Sequence, residues 1–514
     1  MSAFTPQARV RLVNAFLRPY DNAVATARTC YSAKGIVTPD DVVRQPEVRD
    51  RIARSIYAAG HHTTLQHAHF QFTLENVSRH FIWDFLHSHP FYNSEQVSQR
   101  YVRVHPDNVV IPPLEGRARR VYVEAVTLQM EAYERLIELL LPAAEAHYYA
   151  RFPAHRPKDG GKPHRLARRW IPRKAQEIAR YVLPVATTAY LYHTISLLTL
   201  LRYYRLSRQY DVPTETHTVV QAMVRAVLAH DPEVEKLLEE PIPLEETVEY
   251  RFWRAAGEVP GGSRAYREEF DRELGGYRSR LIAHTPDAEA IVAQAVRDVL
   301  GVPRVHLSDD EAIDLVLNPA RNPYLAEPLN LAFHSKLMRV LHHPSYTFRK
   351  KLSHTADSQD QRHRLTPGSR PMMTAYLSDE PDYITPALIE GESRADRYYR
   401  DVMERTWEYM GRLKRLGVPR EYITYLLPNG VAIRFTESAT LLALHHKLRM
   451  RLCYNAQEEI LTASREEAQQ IRHVTPRLGR YLAPPCRLRY LAGVKPYCPE
   501  GERYCGVRVW RGEE

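Results

Sequence analysis

The sequence predicts an α+β chain in which one domain pattern runs twice. Three observations carry that expectation. At 514 residues the chain is too long for one ordinary hydrophobic core. Two distant stretches follow one order, EIARYVLPVATTAYLYHTISLLTLLRYYRLSR from residue 177 and EYITYLLPNGVAIRFTESATLLALHHKLRMR from residue 421. Each has an apolar run closed by Leu-Pro, then a loop, then an apolar helix ending in Arg. Within the first copy the apolar period also changes, as α+β chains require. Phe70, Phe72 and Leu74 alternate with polar residues, a strand signal, and from about Asn76 Val77, Phe81 and Phe85 take up helical spacing.

In chain order, residues 8 to 32 read as a short strand and a helix, and 47 to 59 as an amphipathic stretch closed by Gly60. The strand through Phe70 gives way to a helix capped by Asn76 or Ser78. A long helix is expected over about 117 to 141, halted by Pro142. Residues 155 to 174, basic and rich in Gly and Pro, read as an exposed loop, followed by helices near 173 to 183, 191 to 208 and 214 to 229. The first lobe is therefore placed at 1 to 230 and a charged helical connector at 231 to 310. The second lobe is placed at 311 to 475, opening on a helix through NLAFHSKLMRVLHH, and a cysteine-containing tail at 476 to 514. Long and short helices at 393 to 416 and up to YLLPNG precede helices through LLALHHKLRMRL and NAQEEILTASREEAQQIRHV.

A hydrophobic content of 44% with 26% charged residues is that of a soluble globular chain. The absence of a long apolar stretch or signal-peptide core, with five scattered cysteines, predicts a cytoplasmic protein without a disulfide framework. The net charge of +10 suits phosphorylated ligands at least as well as nucleic acid, which is the less favoured partner. Histidines 61, 62, 67, 69, 80, 87 and 89 lack a matching set of carboxylates or cysteines, so no metal is expected there. Cys486, Cys498 and Cys505 lie among turn residues. With Cys453 or His473 they would make a zinc shell, but free thiols are the preferred reading.

Two arginine clusters carry anion chemistry. Gln359, Arg362, His363 and Arg364 lie within six residues, and Arg is the side chain for bidentate phosphate contact. Ser98, Gln99 and Arg100, in SEQVSQRYV, place hydroxyl, amide and guanidinium groups in one short turn. The surroundings of these clusters (QDQRHR, SEQVSQRY, GHHTTLQHAHFQF, and GVPREYITYLLP followed by HHKLRMRLCYNAQEEI) resemble the flavin-dependent thymidylate synthases over about 1 to 225 and 311 to 470.

The resemblance implies two tandem domains, each a small antiparallel sheet with flanking helices, packed as a pseudo-dimer. Family members are homotetramers whose sites draw on more than one subunit. One set of substrate contacts survives in the second lobe as Gln359, Arg362 and Arg451; the other survives in the first lobe as Glu95, Ser98, Gln99, Arg100 and Arg180. The converse positions have decayed. Leu86-His87-Ser88-His89 stands for RHR, Thr424 for the Arg before Leu-Pro, and Gly368-Ser369-Arg370-Pro371 for the serine–arginine turn. The expected result is one complete site type at the lobe junction and one silent twin, with two chains forming a pseudo-tetramer.

For FAD, the resemblance points to Arg362, His363, Arg364, His61 and Thr63, and to His446, where the family has Asn. Thr440-Leu441-Leu442 replaces the family's Asn-x-Arg flavin contact. The implied reaction methylates dUMP to dTMP with methylenetetrahydrofolate and NADPH as co-substrates. Arg451 is the catalytic candidate, stabilising charge on the uracil ring. The alternatives are a uridine-modifying or nucleic-acid-binding protein and a non-catalytic paralogue.

Overall fold

The computed structural model describes residues 4–157, 161–209, 211–256 and 263–511. The chain is α+β, and among the described residues the strands form two four-stranded antiparallel sheets of the same topology. The first holds β1 (Arg9–Ala15), β2 (His69–Ser78), β3 (Asn93–Gln96) and β4 (Thr188–Ser196) in the order β1-β2-β4-β3. The second holds β5 (Ser279–His284), β6 (Ser345–Ser353), β7 (Gly368–Ser369) and β8 (Ala432–Thr440) in the order β5-β6-β8-β7. Two compact units contain them. Unit 1 is Met1–Gly262, Met372–Pro381 and Thr385–Asn429; unit 2 is Ser263–Pro371, Asp382–Ile384 and Gly430–Glu514.

The duplication is legible to the single hydrogen bond. Ser78 pairs with Thr188 across the first sheet, and Ser353 pairs with Ala432 across the second. Each serine ends its strand and caps the next helix, Ser78 accepting from Phe81 N–H and Ser353 from Ala356 N–H. Each is in turn gripped by a buried carboxylate. Glu215 accepts from Ser78 N–H at 2.8 Å and Oγ at 2.6 Å; Glu459 accepts from both Ser353 groups at 2.6 Å. Counting from these anchors, with one extra residue in β2 where its register shifts between Leu74 and Val77, aligns the two copies.

Several expected elements are corrected. The strand β5 lies inside the stretch read as a connector, so the second copy begins before residue 311; its edge strand was hidden in charged sequence. The apolar run at 191 to 208 is strand β4 to Ser196 and helix only from Leu197, because short apolar runs do not distinguish the two periods. Pro142 does not end its helix, which spans Gly116–Arg151 and packs along the Arg165–Ala179 and Ser393–Arg415 helices in the same unit. The Gly/Pro-rich basic segment is helical from Arg165; its residues 158–160 lie outside the described residues. NLAFHSKLMRVLHH forms two short 3-10 turns, Leu331–His334 and Leu337–His342, after Asn330 in left-handed backbone. Among the described residues no helix is long and apolar enough to cross a membrane.

Candidate active site

In unit 2 the Arg-rich turn follows the His354–Asp360 helix, and the Leu441–Arg451 helix stands beside it. Arg451 joins the two. Its Nε donates to His363 Nε2 at 2.8 Å and its Nη2 to the Gln359 carbonyl at 2.6 Å. Burial, then the neighbouring Arg451 charge, holds His363 well below the usual imidazole range, so the ring is neutral and accepts through Nε2. His446 closes the group. Its Nδ1 shares a hydrogen bond with Asn330 at 3.1 Å, and its ring meets that of His363 edge-on at 5.9 Å. Arg362 and Arg364 flank His363 as exposed side chains. The Gln359 amide oxygen and nitrogen are both buried without a hydrogen-bond partner among the described residues. A donor and an acceptor side by side, both unmet, cost stability unless a ligand satisfies them.

Beneath this group lies a buried ion cluster that sequence reading missed. Lys350 Nζ meets Asp360 at 2.6 Å, Glu467 at 2.9 Å and Glu437 at 3.3 Å. Lys447, one turn before Arg451, contacts Glu437 and lies 3.4 Å from Asp360 and 3.5 Å from Glu467. All five side chains are at most 1% exposed. At the equivalent places the first copy has Leu74, Phe85, His193, Tyr203 and Met223, an apolar and aromatic core. Only a comparison of the two copies in register reveals the exchange.

In unit 1 the other predicted set gathers around Glu177. Arg100 Nε contacts one carboxylate oxygen and Lys174 Nζ lies 3.6 Å from the other. Burial works against the charge, but Arg100, Lys174 and Arg180 together bring Glu177 down to about 2, so it stays ionised. Arg180 is 5% exposed, and its Nε and Nη2 have no hydrogen-bond partner among the described residues. Ser98 Oγ accepts from Arg100 N–H at 3.3 Å, fixing the turn. Gln99 is buried, and its amide donates to Thr187 Oγ1 at 2.9 Å and accepts from Asn429 at 3.0 Å. Glu95 and Gln99 border the rim of a cavity of about 590 Å3 that also exposes Arg79, Arg103, Tyr190 and Tyr192. His61 and Thr63 are exposed at the start of a 3-10 turn (His62–His67) and do not line that cavity.

The second copy's counterparts of Arg100 and Arg180 carry a different chemistry, also within unit 1. By sheet register Ser369 corresponds to Glu95, which makes Thr374, not Arg370, the counterpart of Arg100. Arg370 instead grips Asp357 and lies 4.3 Å over the Phe435 ring, a packing role in unit 2. Thr374 N–H donates to Asp211 at 2.9 Å, and Thr424, the counterpart of Arg180, meets His80 Nε2 at 2.9 Å. Cations have given way to neutral hydroxyls and buried acids. Burial lifts Asp211 to about 6 and Glu421 to about 7, against hydrogen bonds from Thr374 and Thr214. Such carboxyls keep protons that the unfolded chain releases near pH 4, so their contribution to stability is lost as pH rises through 6 to 7. Glu421→Gln should match the parent at pH 5 and exceed it at pH 8 by on the order of 2 to 3 kcal/mol in urea denaturation. Equal stabilities at both pH values would refute this.

Thr440 caps the Leu441–Arg451 helix, and Leu441 and Leu442 are buried in the core. Among the described residues no three His, Cys, Asp or Glu side chains already form a metal shell.

Comparison with known proteins agrees with the duplication. The family model described as thymidylate synthase complementing protein matches residues 11–233 and again 280–477. A flavin-dependent thymidylate synthase of Sulfolobus acidocaldarius is 28% identical over 218 residues, 40% of this chain and 77% of its own. One from Geobacter sulfurreducens is 28% identical over 237 residues, 44% of this chain and 92% of its own. One from Sulfurisphaera tokodaii reaches 32% over 151 residues, 29% of this chain and 58% of its own. Each relative thus accounts for less than half of this chain, while the family model fits it twice.

Proposed function

Since the chain belongs to the thymidylate synthase complementing protein family, that of the flavin-dependent thymidylate synthases, we propose that it methylates dUMP to dTMP. The observation that carries this reading is the pair of unmet polar groups, the Gln359 amide in the second copy and Arg180 in the first. A primary amide offers the donor and acceptor that complement a uracil edge, and a buried, unmet guanidinium suits a phosphate. Arg100, ordered by Ser98 and Glu177, adds a second phosphate contact. Arg451 is held by His363 and the Gln359 carbonyl, ready to stabilise negative charge on the deprotonated uracil ring. Both sets serve one nucleotide, from one chain or from paired chains in a pseudo-tetramer; what each copy kept and the other lost supports this.

The residues fit the anionic part of FAD better than its ring. Exposed Arg362 and Arg364 around neutral His363 suit the diphosphate, with His61, Thr63 and His446 as further contacts. When bound, FAD supplies the redox chemistry, reduced by NADPH and passing hydride equivalents to a carbon unit from methylenetetrahydrofolate. The conversion of Thr440-Leu441-Leu442 to cap and core predicts weaker flavin affinity than an Asn-x-Arg sequence would give. Purified protein should be yellow and should bleach with NADPH when dUMP is present. Colourless protein that takes up no added FAD would overturn the reading.

A nucleic-acid substrate is the second reading, favoured by Arg165, Arg168, Arg169 and Arg173 exposed along one helix. Steeply salt-dependent RNA or DNA binding would support it.

A further inference from the structure

We propose that Cys453, Cys486, Cys498 and Cys505 form a tetrathiolate site for a divalent ion of the zinc class. Four of the chain's five cysteines line a single small cavity of about 10 Å3, while Cys30 is exposed in the other unit. They arrive from separate places: the end of the Arg451 helix, the start of the Pro485–Leu491 helix, and two turns of the tail. Chance packing of small apolar side chains gives no reason for this convergence. All four are free thiols, so no disulfide accounts for it.

The backbone around the sulfurs is that of ligand turns. Asn455 N–H donates to the Cys453 sulfur and Glu500 N–H to the Cys498 sulfur, each from two residues downstream. Such donors favour a thiolate over a thiol. Gly506 follows Cys505 at φ +88°, and Gly501 closes the Cys498 turn at φ +53°, backbone that L residues rarely adopt. On binding a divalent cation four protons leave, and four thiolates around it carry a net charge of −2. The sulfurs do not yet stand at coordination spacing. Binding therefore requires the side chains to rotate within the cavity that all four line.

The tail has reason to need such a staple. Between Pro485 and Arg511 it holds only a two-turn helix and two 3-10 turns, too little regular structure to build a core alone. Side-chain hydrogen bonds to backbone already tie it down, Arg489 to Ala326 O at 3.1 Å and Asn455 to Arg503 O at 2.8 Å. Because Cys453 lies two residues past Arg451, the ion would fasten the tail to the end of the helix that carries Arg451.

Protein produced with zinc in the medium should contain one ion per chain by mass spectrometry of metals. Thiol titration should find one reactive cysteine before chelation and five after it. Cys30→Ser should keep the ion, and Cys498→Ser and Cys505→Ser should lose it. If those variants fail to fold, cobalt-exchanged parent protein decides, through thiolate-to-cobalt charge transfer and tetrahedral d–d bands. Metal at background level, retention in the Cys498→Ser and Cys505→Ser variants, absent cobalt bands, or a mass showing disulfides would each overturn the proposal.

Discussion

Arg362→Ala and Arg100→Ala should each weaken dUMP binding at least a hundredfold in calorimetry, although the two residues belong to different copies of the repeat. The size follows from the chemistry. A charge-assisted hydrogen bond to an anion contributes about 1.5 to 3 kcal/mol, and removing a guanidinium takes away more than one such bond. Arg100 has its geometry set by Ser98 and Glu177, so its loss also leaves Glu177, an ionised carboxylate, facing the phosphate with less to balance it. Arg370→Ala is the control. Its guanidinium is spent on Asp357 and the Phe435 ring, so it should change stability and leave nucleotide affinity within about twofold. If only one of Arg362 and Arg100 matters to binding, the two sets do not serve one ligand.

The parts of this arrangement legible in sequence are those fixed by local chemistry. The alternation through Phe70, Phe72 and Leu74, the serine that caps the next helix, and the Arg-rich turn each leave a signal within a few residues. What escaped depends on partners far along the chain. Strand β5 is a six-residue edge strand set in charged sequence, and Pro142 is tolerated because neighbouring helices pack along its helix. The hydrogen bonds of Gln99 to Thr187 and Asn429 leave no local signal. The counterpart of Arg100 could not be found by matching motifs either. Sheet register identifies Thr374, and with it the acidic replacement of a cationic site. Five charges at core positions would ordinarily argue against burial, and each has a partner more than five residues away.

That cluster supports the other large effect. Lys447→Tyr, which installs the first copy's residue, should destabilise unit 2 by about 3 to 5 kcal/mol in chemical denaturation. Removing one cation leaves Asp360, Glu437 and Glu467 to share Lys350, with Arg370 at 4.0 Å from Glu437, and buried carboxylates short of counter-charge are costly. Replacing all five residues by the first copy's set, Lys350→Leu, Asp360→Phe, Glu437→His, Lys447→Tyr and Glu467→Met, should cost much less than the five single changes added together. The first copy demonstrates that this set packs, its His193 and Tyr203 sharing a hydrogen bond at 3.2 Å. The nucleotide site should respond differently from stability. Asp360 ends the helix that carries Gln359 and leads into Arg362 and His363, and Lys447 sits one turn before Arg451, so the cluster pins both carriers of the proposed site. The five-fold variant is therefore expected to fold and to bind dUMP at least tenfold more weakly. A single Lys447→Tyr change costing under about 1 kcal/mol would show that the cluster is not the coupled unit its distances suggest.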